Sequence, residues 1–228
     1  MKFLSAHWRN LLLANYVVDP AILEEHVPKG TSIDLFKGQA FVSLVAFLFD
    51  KTRLLGIPVP FHRKFEEVNL RFYVAPDKDP SIRAVTFIKE IVPKRILSAV
   101  ANSFFNENYS TEPMSHGIED GNYWYAWGEN QSNRFTAQVN RDLSFPDAGS
   151  IGEFITEHYW GYAQGKNKTI EYRVEHPQWQ CCEVDDYEIE VDFEKTYGSK
   201  FGFLNSQQPQ NVQFAAGSAV TVSFPGHL

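Results

Sequence analysis

The chain has 228 residues, 43% of them hydrophobic, which is enough for one substantial core. Nineteen Phe, ten Tyr and five Trp favour sheets over a helical bundle. With 28 acids against 21 bases the net charge is −7, so the surface repels phosphate backbones and argues against sequence-independent nucleic-acid binding.

The first residues open like a leader, but His7, Trp8 and Arg9 interrupt it before a signal-length apolar region develops. Residues 11–18 are too short to span a bilayer. The expectation is a cytoplasmic chain without a membrane partner. Asp19 and Pro20 read as the N-cap and first turn of a short helix that Val27-Pro28-Lys29-Gly30 ends. Strands are expected near 31–36 and 39–50. The second is apolar on both faces and reads as a buried central strand. Residues 51–63 hold two prolines and a glycine, a loop able to cover a pocket.

Residues 65–74 alternate. Val68, Leu70, Phe72 and Val74 fall on one face, and Glu67, Asn69, Arg71 and Tyr73 on the other. A strand over about 82–92 follows, then a helix over 96–105 from its apolar spacing. Strands near 121–128 and 133–140 precede a helix capped by Ser150, with Glu153 completing a capping box and Phe154, Ile155, His158 and Tyr159 along it. Further strands are expected near 169–176, 179–192 and 211–224. About ten strands and three helices without regular βαβ alternation predict a mainly β, α+β fold: an antiparallel barrel or sandwich with peripheral helices. No linker or repeat divides the chain, so residues 1–228 read as a single domain.

The chemistry concentrates at Pro93-Lys94-Arg95, where the strand stops and hands on to two adjacent cations. A lysine beside a second cation near an apolar interior has a lowered pKa and can attack a carbonyl. The alternative is a solvated pair at a helix start, where positive charge opposes the dipole. Glu67, Asn69 and Arg71 either line a cavity, with Arg71 binding a carboxylate, or face solvent.

His116, His158 and His176 are possible general bases, yet no spacing pairs them as metal ligands. Tyr109, Tyr159 and Trp179 read as core or pocket wall. Cys181 and Cys182 are neighbours and offer no long-range disulfide; at most one thiol faces a given compartment. Ser43 and Ser98 lack a nucleophile elbow, and no phosphate loop follows a strand. No metal and no cofactor is expected.

Several ordered segments resemble the YqjF-like bacterial group within the acetoacetate decarboxylase-like superfamily. They are Glu67-Val-Asn-Leu-Arg71-Phe-Tyr-Val74, Val85-Thr-Phe-Ile-Lys-Glu-Ile-Val-Pro93, Phe105-Asn-Glu-Asn-Tyr109 with Pro113-Met114-Ser-His116, Phe154-Ile-Thr-Glu-His-Tyr159, and Tyr172-Arg-Val-Glu-His176-Pro177-Gln-Trp179. The resemblance implies a decorated β-barrel with an internal cavity. It also implies that Pro93-Lys94-Arg95 stands where the decarboxylase has Pro-Lys-Lys, with Lys94 as Schiff-base nucleophile and Arg95 as the second cation. Glu67 is placed like a pocket glutamate. Ile91-Val92 replaces the enzyme's Gly-aromatic pair.

The expected site is therefore Lys94, Arg95 and Glu67 for catalysis, with Arg71, Asn69 and His116 binding a small organic acid or carbonyl compound. The alternatives are a non-catalytic small-molecule binding protein that uses the same cavity, and a homodimeric interaction module of the same fold, a homo-oligomer being the one protein partner expected.

Overall fold

The computed structural model describes residues 2–60, 63–95, 105, 107–165 and 168–228. The first half holds β1 (Lys2–Val18), β2 (Thr31–Ile33), β3 (Ala40–Leu54), β4 (Ile57–Pro58), β5 (Phe65–Pro76) and β6 (Ala84–Val92). After these come β7 (Tyr109–Thr111), β8 (Met114–Glu119), β9 (Asn122–Trp127), β10 (Asn133–Gln138) and helix α1 (Ile151–Thr156). The remainder is β11 (Trp160–Ala163), β12 (Ile170–Glu175), β13 (Cys181–Glu183), β14 (Tyr187–Glu190), helix α2 (Phe193–Tyr197), β15 (Asn211–Ser223) and β16 (Gly226–His227).

The large sheet runs β13-β15-β1-β3-β5-β6-β11-β12-β16. Val174 of β12 also lies opposite Val222 of β15, so the far side of the sheet curls back to its beginning. A second sheet, β14-β10-β9-β8, packs beside it. Pairing is antiparallel, as the sandwich reading expects, except where β6 runs parallel to β7 and β11.

The alternation of β5 sets the two layers. Val68, Leu70, Phe72 and Val74 enter the main core with Trp127, Phe135 and Phe193. Their neighbours on the opposite face point into the curl of the large sheet. β3 feeds both layers, Leu44 and Leu48 on one side and Val45 and Phe47 on the other, which is why its sequence is apolar throughout. One polar string crosses this packing: Ser43 Oγ donates to Asn15 Oδ1 at 2.6 Å and lies 2.6 Å from Tyr73 Oη, all fully buried.

The longest strand, β1, is absent from the sequence expectation. A bulge at Asn10 (φ 55°) in the pairing with β3 breaks its alternation, and Gly217 of β15, opposite Arg9, lets the backbones close in, since a Cβ there would sit 2.1 Å from the Trp8 carbonyl oxygen. Asp19 caps a 3-10 turn, Pro20–Ile22, rather than an α-helix. Ser150 caps α1 through the Glu153 amide, but the Glu153 carboxylate accepts from Gly149 and not from Ser150. The helix stops at Thr156, so His158 and Tyr159 lie beyond it. The helix expected over 96–105, with Ser98, falls outside the described residues apart from Phe105.

Candidate functional site

The curl of the large sheet encloses a cavity of about 280 Å³. Its walls are Trp8 and Leu11 from β1, Val45, Phe47 and Phe49 from β3, Phe65 from β5, Val85, Phe87 and Val92 from β6, and Val174 from β12. Thr52, Leu54 and Val59 cover it from the β3–β4 hairpin and the segment after it. Against this apolar lining stand Glu67, Asn69, Arg71, Glu90, Glu107, Tyr109, Tyr172, His158 and His176.

The register explains how the acids meet. Val45, Asn69, Glu90 and Tyr109 form one row across β3, β5, β6 and β7, and Glu67 is Asn69's neighbour on the same face of β5. A bulge between Leu70 and Arg71 shifts the β5–β6 ladder. It lets Phe87 and Glu90 both reach the cavity while Lys89 turns the other way, donating to the Thr196 carbonyl oxygen at 2.9 Å. Strict alternation from Val85 would bring Lys89 inward and send Glu90 out, so no sequence pattern marked Glu90. Glu107, two residues before Tyr109, was equally silent.

Burial dominates the protonation of this cluster. It lifts Glu67 to about 7, against the opposing pull of hydrogen bonds from Asn69 and Tyr109 and of the Arg71 charge. It lifts Glu107 to about 8, against the Tyr172 hydrogen bond and helped by Glu67. Glu90 is raised well above the usual carboxyl range by burial and then by Glu107 and Glu67.

Tyr109 Oη donates to Glu67 Oε2 at 3.3 Å, and Asn69 Nδ2 donates to Glu67 Oε1 at 3.1 Å. Tyr109 is also hydrogen-bonded to Glu90, and that bond pulls the Glu90 carboxyl down against its burial. Tyr172 Oη donates to Glu107 Oε1 at 2.7 Å.

Burial also lowers both cavity histidines to about 4, so they are neutral. His176 Nδ1 donates to the Pro177 carbonyl oxygen at 2.9 Å and its ring stacks on Trp179. His158 Nε2 lies 3.4 Å from Asp34. Arg71 Nη2 donates to the Ile155 carbonyl oxygen at 3.2 Å. Among the described residues, several buried polar atoms around the cavity have no hydrogen-bond partner: Glu90 Oε2, Asn69 Oδ1, Arg71 Nε and Trp8 Nε1.

Of the sequence-predicted residues, Glu67, Asn69 and Arg71 thus share the cavity. Lys94 is half-buried and Arg95 exposed, just past cavity-lining Val92, and neither is among the side chains that line it. His116 stands apart: on β8 its Nδ1 lies 2.6 Å from Glu66, which alternation turns away from the Glu67 side. Among the described residues no group of three or more His, Cys, Asp or Glu is placed to hold a metal ion, and no helix is long and apolar enough to cross a membrane.

Residues 5–219 match the family model DUF2071, described as an uncharacterized conserved protein. The uncharacterized protein YqjF of Bacillus subtilis is 29% identical over 177 residues, covering 75% of this chain and 72% of that one. Among solved structures, acetoacetate decarboxylase from Legionella pneumophila superposes with a TM-score of 0.70 at 9% identity, over 99% of this chain and 87% of that one. An acetoacetate decarboxylase-like enzyme from Sphingomonas wittichii gives 0.67 at 12%, over 100% and 94%. The enduracididine biosynthesis enzyme MppR, complexed with the condensation product of pyruvate and imidazole 4-carboxaldehyde, gives 0.67 at 10%, over 100% and 90%. These structures share the fold.

Proposed function

The chain belongs to the DUF2071 family of uncharacterized conserved proteins, and we propose that its cavity takes a small carbonyl compound with an apolar body and moves a proton on it. The observation that carries this reading is the trio Glu67, Glu90 and Glu107, buried together in a chamber with mainly aromatic and aliphatic walls. A carboxyl group kept neutral by an apolar site donates a hydrogen bond to a carbonyl oxygen and so favours the enol. Glu107 is suited to that part. Glu67, at about 7, is populated in both forms at neutral pH, which suits a group that accepts an α-proton and returns it. The C–H pair moves into a C=C bond and the carbonyl pair onto oxygen; reprotonation at carbon completes an isomerisation without redox change. Arg71 Nε offers an anchor for a substrate carboxylate.

A second reading routes the chemistry through Lys94. It is favoured by Pro93-Lys94-Arg95 following directly on Val92 of the cavity wall, and by the fold shared with a decarboxylase and with a structure holding a pyruvate condensation product. There Lys94 condenses with the carbonyl, water leaves, and the iminium is the electron sink for decarboxylation, aldol-type cleavage or dehydration, with Arg95 keeping the amine neutral.

Trp8, Trp160 and Trp179 line the cavity and report its occupancy by fluorescence. A panel of 2-keto acids, 3-keto acids and aldehydes is titrated in deuterated water, with and without borohydride. Saturable quenching with deuterium at the α-carbon, abolished in Glu67→Gln, supports the first reading. A reduced adduct on Lys94, lost in Lys94→Ala, supports the second. Quenching with neither outcome leaves a non-catalytic binding protein, and no quenching by any member removes this ligand class.

A further inference from the structure

Between Asp50 and Glu66 the sequence holds Lys51, Arg53, Arg63 and Lys64 and no acid, although the chain as a whole carries −7. All four bases are exposed. The same stretch forms the β3–β4 hairpin, closed by Leu55 and Gly56 at φ 53° and 81°. A two-residue turn with both φ values positive is a place for Asn, Asp or Gly. A leucine there is strained, and backbone strain of this kind persists where it serves a purpose.

What the strained turn does is present apolar surface to solvent. Leu55 is 54% exposed and Ile57 69%. Leu54 pairs with Ile57, so Thr52, Leu54, Ile57 and Val59 share one face of the hairpin. Thr52, Leu54 and Val59 line the cavity, and Ile57, on the same face of the hairpin, is exposed to solvent. Phe224, also exposed, packs edge-on against Phe3 at 5.4 Å, and the Phe3 carbonyl oxygen accepts the Leu55 amide at 2.9 Å.

We propose that this hairpin docks on an anionic phospholipid bilayer and that the cavity beneath it is loaded with an apolar ligand from that bilayer. Apolar side chains flanked by lysine and arginine are the composition that seats a segment at a lipid interface, the apolar groups among the acyl chains and the bases at the phosphates. A second copy of this chain fits less well, because apposing two such hairpins brings like charges together. The contact needs no membrane-crossing helix. It does not rest on the proton chemistry proposed above.

The full chain is floated with vesicles of phosphatidylcholine alone, or with about a quarter phosphatidylglycerol, at low and high salt. The expected result is flotation with the anionic vesicles only, reversed by salt. Leu55→Gly is the informative variant: glycine is at ease at φ 53°, so thermal stability is kept or raised while vesicle partition falls about tenfold or more. Lys51→Gln and Arg53→Gln each weaken partition about fivefold. A chain that stays with the unbound fraction at low salt overturns the proposal, as does a Leu55→Gly or Ile57→Asp variant that floats like the parent. Self-association in light scattering without flotation overturns it too, assigning the face to a second copy. Flotation is read without a cavity ligand, so either proposal can fail while the other stands.

Discussion

Gly161 on β11 lies directly opposite Tyr172 on β12, and the phenol ring of Tyr172 fills the space that a side chain on Gly161 would need. A Cβ at 161 would come within 2.2 Å of that ring. The missing side chain is what lets the ring lie across the neighbouring strand and bring its hydroxyl to Glu107.

Gly161→Ala therefore acts on the cavity without touching it. The ring must move, at a cost of about 1–3 kcal/mol for an overpacked core position. The hydrogen bond that holds Glu107 down is lost with it, so the Glu107 carboxyl is expected to titrate still higher. Urea unfolding gives the first quantity and a carboxyl titration the second. A variant as stable as the parent would show that the strands have room to spread.

The pH dependence of stability separates the two kinds of buried group. Glu67 and Glu107 titrate at about 7 and 8 when folded, above the ordinary value of 4.5, so they bind protons more tightly folded than unfolded. Their contribution is complete below 4.5 and is lost as the pH rises through 7 and 8. His158 and His176, lowered from 6.5 to about 4, run the other way; their contribution is complete above 6.5 and is lost as the pH falls toward 4. Between pH 6.5 and 8 the carboxyls act without opposition from the histidines. Stability should fall there, and Glu107→Gln should remove about 2 kcal/mol of that fall. A fall left unchanged by the substitution would deny Glu107 its buried proton.

The polar string through the core gives a prediction independent of the cavity. Ser43→Ala leaves the Asn15 carbonyl oxygen and the Tyr73 hydroxyl without their shared partner in a fully buried place. A loss of about 2–4 kcal/mol is expected from two desolvated groups, read by chemical denaturation. A loss below about 1 kcal/mol would mean that water or a rearranged Asn15 takes over.

How much of this was legible in the sequence depends on where the backbone is regular. The period of two in β5 was enough to put Glu67, Asn69 and Arg71 on one face, and the unbroken apolar run in β3 announced a strand buried on both sides. Glu90 was hidden by a bulge, because one extra residue reverses every later side chain and the sequence carries no mark of it. The Asn10 bulge hid β1 in the same way. Glu107 lies just past a segment whose helical spacing drew attention to apolar positions, and nothing local distinguishes it from a surface glutamate. His158 looked helical because the period of α1 continues past Thr156, whereas the chain has already turned toward β11. Burial of an acid is decided by strands far away in sequence, and that is the part that spacing does not encode.

Three glutamates share the cavity, and burial raises all three above the ordinary glutamate range. The most direct test is a carbon-13 titration of the glutamate side-chain carboxyls in the full chain, with resonances assigned through Glu67→Gln, Glu90→Gln and Glu107→Gln. The expected midpoints are near 7 for Glu67 and near 8 for Glu107, with Glu90 also raised well above the usual glutamate value. Three carboxyls all ionised in the usual glutamate range, at about 4.3, would contradict this and leave the cavity without its proton-transfer groups.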